Sequence, residues 1–310
     1  MNESAKSESG DGALCQTQGT VPGVEVTRFA PSPTGELHLG HVLAARVAHD
    51  LARQSGGRFL LRIEDIDAAR CQPAFEQAIR EDLLWLGLHW DGETERQSRR
   101  MAHFRRRLDD LTTAGLTYPC FCTRGDIVTE IAAMAGAPQG PDGPVYPGIC
   151  RRLAPTERAA RVAAGEPHAV RLDVAECLAR LTSPLTFYEL GAGPAGQRGV
   201  ISADPLAGGD IVLGRKDLGV SYHLAVVLDD DLQGVTLVTR GEDLFAATAL
   251  QRLLQAMLGL RVPRYHHHRL VRDEQGRRLA KRDGARSIAT LRSAGLSAAA
   301  VLALCGGAAQ

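Results

Sequence analysis

Near the start of the chain, apolar runs of strand length stand on either side of a segment whose apolar residues recur at helical spacing. Residues 24–29 form a run of strand length, and over residues 41–54 apolar positions recur near helical spacing until a Gly-Gly pair ends the pattern. The mostly apolar run RFLLRIED at 58–65 then suits a buried parallel strand. Strand, helix and strand in this short span predict a right-handed βαβ unit, and therefore an α/β fold with a parallel sheet.

The later pattern divides the chain into segments. Helical spacing continues over 73–88 and 96–111, weakens where Gly and Pro crowd residues 136–148, and returns from about residue 222. The weak region indicates an insertion between two halves of an α/β domain. The predicted segments are a flexible tail at 1–23, a first half at 24–117, an insertion at 118–204, a second half at 205–260 and a C-terminal section with a basic loop and a helix at 261–310.

Composition narrows the class of protein. The chain has 310 residues, of which 44% are hydrophobic and 23% charged, as in ordinary globular proteins. The 36 basic residues balance the 36 acidic residues, so local basic patches would have to hold any nucleic acid. No apolar stretch approaches the roughly 18 residues of a membrane span, and residues 1–23 lack the apolar core of a secretory signal. With seven mostly scattered cysteines, these features predict a cytoplasmic protein.

The stretch RFAPSPTGELHLGHVL at 28–43 places two histidines at the start of a predicted helix. A helix N-terminus offers unpaired N–H groups and a partial positive charge, which suit a phosphate. Gly40 allows a close backbone approach, and His38 and His41 are three residues apart, so they can lie on one side of the turn. The alternative is a loop whose histidines only cap or pack the helix.

A basic loop near the other end of the chain, RRLAKRDGA at 277–285, carries Lys281 among small and polar residues. A lysine there can place a point charge on a polyphosphate, although most such charge runs are solvated turns. The pairing of an H-x-G-H stretch with a distant lysine loop in an α/β chain favours the phosphate interpretation.

Three cysteines lie in one region of the predicted insertion. Cys120 and Cys122 are close enough to share a metal, and Cys150 closes a loop onto them. Three sulfurs and one further ligand would satisfy tetrahedral zinc in a structural site. The alternative is three ordinary reduced cysteines.

Two other polar runs are weaker indications. The HHH run at 266–268 is assigned no metal, because adjacent residues on a strand face opposite sides and cannot all bind one ion. The arginine-rich segment at 96–108 can either track RNA phosphates or form a solvated helix face.

Several of these stretches resemble one known family. RFAPSPTGELHLGH and RLAKR are similar to the two signature motifs, HIGH and KMSKS, of class I aminoacyl-tRNA synthetases, and closest to the glutamyl branch. LLRIEDID and SYHLAVVLDDDLQGVTLVTRGEDL occur in the family's order, so the resemblance covers most of residues 24–285. The second motif departs at Arg278 and Ala280, where Lys and Ser are usual, but it retains Lys281. The resemblance implies a Rossmann-like catalytic domain with a zinc-stapled insertion and a short helical C-terminal section.

The resemblance also implies the residues of the substrate site. Free glutamate carries one ammonium and two carboxylates, so its site needs a carboxylate and cationic groups. Glu64 is implied for the ammonium and Arg240 for the side-chain carboxylate. A surface ion pair with Glu242 or Asp243 is the alternative for that arginine. The implied glutamate-binding residues are Arg28, Phe29, Ala30, Pro31, Ser32, Glu64, Tyr222 and Arg240. The implied ATP-binding residues are His38, Gly40, His41 and Lys281, of which all but the glycine are also expected to act in catalysis.

For the metal, the resemblance implies Tyr146 as the fourth ligand beside Cys120, Cys122 and Cys150. His168 and a water molecule are the alternatives for that position. One structural zinc per chain is therefore expected, and it would staple the insertion rather than take part in the chemistry.

The length after the lysine loop suggests which branch member the chain resembles. Only 28 residues follow Arg282, too few for an autonomous anticodon-binding domain of at least roughly 50 residues. Resemblance to truncated paralogues of the glutamyl branch implies tRNA-independent activation of L-glutamate by ATP, with Mg²⁺. Glutamate would then pass to queuosine in the anticodon of tRNA(Asp), on an enzyme expected to be monomeric and without a membrane partner. The alternatives are a truncated glutamyl-tRNA synthetase acting on the 3′ end of tRNA(Glu), and a catalytically silent paralogue that binds RNA.

Replacement of the loop lysine tests this interpretation. Lys281→Ala is expected to abolish most adenylate formation and to leave the fold intact, because it removes a point charge from the polyphosphate. Glutamate-dependent ATP–pyrophosphate exchange measures the loss, and circular dichroism checks folding. Normal exchange in this variant would contradict the assignment.

Overall fold

The computed structural model of the chain describes residues 23–134, 139–140, 143–216, 219–272 and 287–306. Its strands are β1 Val26–Phe29, β2 Arg58–Ile63, β3 Glu95–Arg96, β4 Thr117–Cys120, β5 Gln139–Gly140, β6 Gly143–Pro144, β7 Ala169–Leu172, β8 Thr186–Glu189, β9 Gly199–Ser202, β10 Val212–Gly214, β11 Leu237–Gly241 and β12 Arg264–His268. Its α-helices are α1 Leu39–Gln54, α2 Pro73–Trp85, α3 Met101–Thr113, α4 Arg124–Ala133, α5 Pro155–Ala163, α6 Val174–Ala179, α7 Tyr222–Leu232, α8 Ala247–Leu258, α9 Ile288–Ser293 and α10 Ala298–Leu304. Short 3-10 turns occupy Gln97–Arg100, Pro205–Gly208 and Glu242–Leu244.

Two sets of parallel strands build the main sheet. One set has the order β1-β2-β3, and the other has the order β11-β12-β8 with β9 antiparallel at its outer edge. The backbone N–H of Thr236 donates to the carbonyl of Val26 at 3.0 Å, so β1 lies beside the start of β11. From this point the chain continues from β1 to one side of the sheet, toward β2, and from β11 to the other side, toward β12. In α/β folds, a crevice at the carboxyl ends of strands that diverge in this way is where ligands bind. The predicted α/β fold with a parallel sheet is confirmed.

Most helix boundaries differ slightly from the sequence pattern, for local reasons. Helix α1 begins at Leu39 rather than at His41, because the His38 side chain caps it. The arginine-rich segment forms a 3-10 turn over Gln97–Arg100 before α3 begins. The longest described helix, α1, has 16 residues. None of the helices in the described ranges is long and apolar enough to span a membrane.

The C-terminal section packs into the core of the first half of the sheet. Ile288 of α9 and Val301 of α10 are fully buried in the same cluster as Val42 of α1 and Phe59 of β2. Helices α3, α7 and α8 enclose a second apolar cluster on the other half. The backbone that follows the predicted lysine loop is therefore held by the same core as the start of α1.

Strands pair across the predicted bounds of the insertion. β4, β7 and β10 form a small antiparallel sheet, in which β10 lies beyond residue 205. β8 and β9, by contrast, lie within 118–204 but join the main sheet through the pairing of β8 with β12. The chain thus returns to the main sheet before it leaves the predicted insertion, and the bounds of the segments stay a prediction.

A buried network of charged side chains connects β1, β2 and α7. Arg62 is completely buried, and its Nη1 donates to Asp230 at 2.7 Å while its Nη2 donates to Glu64 at 3.2 Å. Arg28 donates to both carboxylate oxygens of Asp230, at 2.9 and 3.3 Å. Burial alone would raise the pKa of Asp230, but the two guanidinium groups outweigh that effect and lower it. The carboxylate therefore stays ionised between two buried cations.

The arginine-rich segment contributes to the same network. Asp229 accepts from Arg100 Nε at 2.7 Å and from Gln97 Nε2 at 3.0 Å. Arg100 is therefore structural, whereas Arg105 and Arg106 of α3 are exposed. The segment combines a buried anchor with a solvated helix face, and the exposed part leaves RNA contact as a prediction.

Removal of the central carboxylate should be costly. Asp230→Asn leaves Arg28 and Arg62 partly uncompensated in the interior, so we expect a loss of about 3–5 kcal/mol in the free energy of unfolding. Because the pKa of Asp230 is lowered in the folded state, its contribution is present above the ordinary aspartate pKa and is lost as pH falls through the folded-state value. Urea titration at several pH values measures both effects.

The neighbouring aspartate is a matched control. The side chain of Asp231 is 28% exposed and pairs with Arg261, so Asp231→Asn should cost at most about 1 kcal/mol. Equal losses for the two variants would show that the buried network is not what distinguishes them.

Candidate active site

A cavity of about 510 Å³ opens at the carboxyl ends of β1, β2 and β11. It gathers every described residue that the sequence assigned to glutamate or ATP, although these residues are spread over more than two hundred positions. The assigned residues that line it are Arg28, Phe29, Ala30, Pro31, Ser32, His38, Gly40, His41, Glu64, Tyr222 and Arg240.

The two histidines cap helix α1 and line the cavity at the same time. His38 is the N-cap residue, and its Nδ1 accepts from the backbone N–H of Gly40 at 3.1 Å. His41 Nδ1 accepts from the backbone N–H of His38 at 3.2 Å, and the ring centroids are 3.9 Å apart. A Cβ atom on Gly40 would come within 2.9 Å of the His38 ring, so glycine leaves room for that ring. Capping and cavity lining are therefore not alternatives here.

This arrangement decides which histidine nitrogens can face a ligand. Since both Nδ1 atoms accept backbone hydrogen bonds, each neutral ring carries its proton on Nε2. Two N–H donors are thereby added to the positive end of the α1 dipole. The start of α1 is suited to bind an anionic group such as a phosphate.

The lysine of the predicted basic loop lies outside the described residues. Ser287, the first described residue after the loop, forms an isolated β-bridge with His38. The backbone N–H of Ile288 donates to the carbonyl of Leu37 at 2.9 Å. The chain that follows Lys281 is thus anchored at the start of α1, beside the cavity.

Arg28 and Glu64 face the cavity from the buried network. The Nε, Nη1 and Nη2 atoms of Arg28 all donate within the protein, to Asp230 and to the carbonyl of Thr239. Glu64 is 8% exposed and accepts from Arg62. Burial raises the pKa of Glu64, and the nearby arginines oppose this effect only in part. Arg28 is therefore mainly balanced by protein groups, whereas the carboxyl of Glu64 borders the cavity.

Arg240 has different surroundings from Arg28. Its guanidinium is buried at the end of β11 and donates to His267 Nε2 at 3.0 Å, Gln251 Oε1 at 2.7 Å and Thr248 Oγ1 at 2.7 Å. These acceptors, and not Glu242 or Asp243, hold the side chain. Among the described residues it is thus a buried cation without a directly bonded carboxylate.

Sequence reasoning missed the residues that hold these arginines. Arg62 and Asp230 lie inside the family motifs, in the stretches RIED and LDDD. A charged residue within such an apolar run indicates a buried charge that needs a partner. Glu189 and His267, which contact each other at 2.6 Å beside Arg240, lie in a strand and in the HHH run. No local pattern connects those two residues.

A second cavity of about 1120 Å³ adjoins the first. The two share Ser32, Thr34, Glu64 and Tyr222 in their linings. The larger one extends to the cysteine cluster of the insertion. Its basic lining residues are Arg70, Arg124, Arg171, Arg215 and Lys216. Tyr222, whose pKa is raised by burial, therefore stands at the junction of a small charged cavity and a larger basic one.

Three thiols of the insertion meet in one cluster. The Sγ atoms of Cys120, Cys122 and Cys150 lie within 4.8 Å of one another, and those of Cys122 and Cys150 are 3.4 Å apart. The Tyr146 hydroxyl is 3.4 Å from Cys120 Sγ and 3.5 Å from Cys122 Sγ. Sulfurs bound to one tetrahedral metal ion at about 2.3 Å lie about 3.8 Å apart. The cluster can therefore hold a metal ion.

Groups around the cluster support that fit. The backbone N–H of Phe121 donates to Cys150 Sγ at 3.3 Å, as expected around a metal-bound thiolate. The Arg171 guanidinium lies 3.7 Å from the centre of the Tyr146 ring. His168 instead places its Nδ1 2.9 Å from the carbonyl of Glu166, outside the cluster. Tyr146, rather than His168, is thus the side chain beside the sulfurs.

Comparison with known proteins identifies the family of the chain. Residues 25–306 match the family described as tRNA synthetases class I (E and Q), catalytic domain. The chain is 51% identical over 289 residues to a protein named glutamyl-Q tRNA(Asp) synthetase from Rhodobacter capsulatus, covering 91% of this chain and 99% of that protein. A protein of the same name from Symbiobacterium thermophilum is 44% identical, covering 87% of this chain and 82% of its own length.

A solved structure shares the fold. A glutamate tRNA ligase from Elizabethkingia meningosepticum is 29% identical, with a TM-score of 0.69, over 84% of this chain and 52% of that one. The present chain thus spans about half the length of that ligase. The chain belongs to the class I tRNA synthetase family of the E and Q type, through its catalytic domain. It is a ligase of the aminoacyl-tRNA synthetase kind, and among its relatives it is similar to those named glutamyl-Q tRNA(Asp) synthetase.

Metal analysis tests the cysteine cluster. We expect about one metal ion per chain in the purified protein, and loss of that ion in Cys150→Ser, because three sulfurs and a phenol can complete a tetrahedral site. Chelation should loosen residues 118–150 in hydrogen exchange, since the ion would hold two distant segments together. Cys71→Ser, which changes a thiol outside the cluster, is the control and should retain the metal. Metal-free protein of normal stability would exclude the site.

Proposed function

We propose that this enzyme activates L-glutamate with ATP, without needing tRNA, and then transfers glutamate to queuosine in the anticodon of tRNA(Asp). The relatives that carry the name glutamyl-Q tRNA(Asp) synthetase support the choice of acceptor. The observation that supports this proposal most directly is that Glu64, Arg240 and the capped start of α1 line the same cavity. Glutamate and the phosphates of ATP would then meet at one place.

The charges of that cavity complement free glutamate. Glu64 supplies a carboxylate for the ammonium, and Arg240 supplies a guanidinium for the side-chain carboxylate. Ser32 and Tyr222 line the same cavity, and we assign them to hydrogen bonds with the α-carboxylate and to the shape of the wall. Arg28 forms part of the floor of the cavity, where its Nε, Nη1 and Nη2 atoms already donate to Asp230 and to the carbonyl of Thr239.

The first step joins the two substrates. A glutamate α-carboxylate oxygen attacks the α-phosphorus of ATP, a new O–P bond forms, and the bond to pyrophosphate breaks. Glutamyl-adenylate and pyrophosphate result, with no covalent enzyme intermediate. Positioning and electrostatics would therefore supply the rate enhancement.

Charge that develops on the phosphates would be met at the start of α1. His38 and His41 present Nε2–H donors beside the helix N-terminus, and Lys281 is assigned to the same phosphates by its motif. Mg²⁺ would enter with ATP and would neutralise part of the charge of its phosphates.

The second step would use the adjoining cavity. A ring hydroxyl of queuosine attacks the glutamyl carbonyl, the mixed anhydride bond breaks, AMP leaves, and the hydroxyl proton passes to the departing phosphate or to solvent. The larger cavity meets the smaller one at Ser32, Glu64 and Tyr222, and its basic lining suits an RNA segment. An acceptor base could therefore reach the adenylate from that side.

We assign zinc to the cysteine cluster, in a structural role. Three thiolates with one oxygen ligand, Tyr146, suit zinc better than a hard cation such as Mg²⁺. The ion would join β4 to the loop around Cys150 and shape the far wall of the larger cavity. Elemental analysis of the metal described above identifies it, and another element would overturn this assignment.

An acceptor assay tests the proposed function. Labelled glutamate and ATP are supplied with queuosine-containing tRNA(Asp), unmodified tRNA(Asp) or tRNA(Glu). We expect label on the first alone, because the modified base provides the attacking hydroxyl. Label on tRNA(Glu) would instead indicate charging of its 3′ end, and RNA binding without glutamate activation would indicate a silent paralogue.

The pKa of Glu64 gives a pH test of the glutamate site. Because burial raises this pKa, the carboxylate protonates at a higher pH than ordinary glutamate does, and it then no longer attracts an ammonium. The KM for glutamate in pyrophosphate exchange should therefore rise as pH falls through that value. Glu64→Gln should raise KM about 10- to 100-fold at neutral pH and remove this dependence. Glu242→Gln, outside the cavity lining, serves as the control. Unchanged KM in Glu64→Gln would disprove the role.

A further inference from the structure

The run of three histidines at 266–268 puts one imidazole against Arg240. On β12 the side chains alternate, and it is the central residue, His267, whose ring lies against that guanidinium and is fully buried. His268 turns its Nδ1 to the carbonyl of Arg269 at 2.9 Å. The run belongs to no metal-site grouping within the described ranges. The position of His267 therefore calls for a different explanation.

Three buried side chains form a line from β8 to the cavity. Glu189 Oε2 lies 2.6 Å from His267 Nδ1, and His267 Nε2 lies 3.0 Å from Arg240 Nε. Glu189 Oε1 also accepts from the backbone N–H groups of His267 and Gly191, each at 2.9 Å. Both the carboxylate and the imidazole are inaccessible to solvent. The geometry of this line is thus set by protein groups alone.

The guanidinium decides where the imidazole proton lies. Arginine has no acceptor and does not lose its proton in proteins, so Arg240 Nε must donate and His267 Nε2 must accept. The imidazole therefore carries its single proton on Nδ1, which donates to Glu189. A second proton on Nε2 would face the N–H of Arg240. Each member of the line thus fixes the state of the next.

The line leaves the charge of Arg240 available. Three of its N–H groups are used on His267, Gln251 and Thr248, and a guanidinium has five, so one N–H remains on each η nitrogen. The imidazole separates the guanidinium from the Glu189 carboxylate. A carboxylate bonded directly to Arg240, as Asp230 is to Arg28, would compete with a substrate carboxylate.

We propose that Glu189 and His267 are positioning residues for substrate recognition: they hold the Arg240 guanidinium with a neutral acceptor, so that it can bind the side-chain carboxylate of glutamate. This inference rests on the proposed function. Glutamate is thereby distinguished from glutamine, which has the same shape but no charge on its side chain. Discrimination would depend on a carboxylate that the substrate never touches.

Glu189→Gln is the sharpest test because it is nearly isosteric. Its amide can keep the two backbone hydrogen bonds through oxygen while its NH₂ group faces His267 Nδ1. The imidazole proton must then move to Nε2, which turns a donor toward Arg240. We expect the KM for glutamate to rise about 10- to 100-fold, with a smaller change in kcat, and the preference for glutamate over glutamine to fall by a similar factor.

Two variants at the histidine separate positioning from mere packing. His267→Gln keeps one acceptor and one donor and should retain much of the preference for glutamate, whereas His267→Leu has neither and should lose it. His266→Gln, the neighbouring residue on the same strand, is the matched control and should behave as the unchanged enzyme does. Equal behaviour of His267→Gln and His267→Leu, both folded, would overturn the proposal. If Glu189→Gln does not fold, this pair decides the matter.

The tautomer itself can be read without activity. Nitrogen-15 spectra of the histidine rings, assigned by the signals lost in His267→Gln, should show Nδ1–H in the unchanged protein and Nε2–H in Glu189→Gln. An Nε2–H or doubly protonated His267 in the unchanged protein would overturn the proposal. If the unchanged protein does not activate glutamate, the proposed function fails. The spectra still decide whether the line from Glu189 through His267 to Arg240 has the proposed protonation. An unaltered KM for glutamate and an unaltered preference for glutamate over glutamine in a folded Glu189→Gln would also overturn the positioning role of Glu189 and His267.

Discussion

The fully buried guanidinium of Arg62 is the constraint around which the rest of the molecule is arranged. A cation in the interior of a sheet is tolerable only when carboxylates and acceptors surround it. Here Asp230, Glu64 and Asp229 supply the negative charge, and Arg28 and Arg100 complete a balanced set of three cations and three anions. Those groups come from β1, β2, α7 and the turn before α3, so the network closes only when both halves of the domain meet. The floor of the cavity is therefore built from both halves of the domain.

Two arginines at the ends of neighbouring strands differ in the groups that balance their charge. Arg28 on β1 is bonded directly to Asp230, which largely neutralises its positive charge. Arg240 on β11 has a neutral imidazole, an amide and a hydroxyl as partners, with the nearest bonded carboxylate one ring further away. Both arginines line the cavity, but among the described side chains Arg28 is bonded directly to a carboxylate and Arg240 is not. Under the proposal above, this difference in partners would leave Arg240 able to bind a substrate carboxylate.

The cavity also uses local structure for two purposes. His38 and His41 accept from backbone donors at the start of α1 through Nδ1, and both residues also line the cavity. Ser32, Glu64 and Tyr222 lie where the small cavity meets the larger one, which reaches the cysteine cluster. The cluster that can hold a metal therefore lies in the wall of the larger cavity, from which we propose that an acceptor approaches.

The sequence alone determined what depends on neighbours in the chain. The α/β class, the helix that follows residue 38, the three clustered cysteines and the motif residues that line the cavity all follow from local spacing and from motifs. The tertiary structure decided which charges are bonded to which. Arg28 and Asp230 are 202 residues apart, and Glu189 and His267 are 78 apart, so no periodicity connects them. A buried charge specifies that it needs a partner but not which one; only packing of distant strands brings the partner within hydrogen-bond distance. For that reason the arginines could be assigned to the site from sequence, while the difference between Arg28 and Arg240 could not.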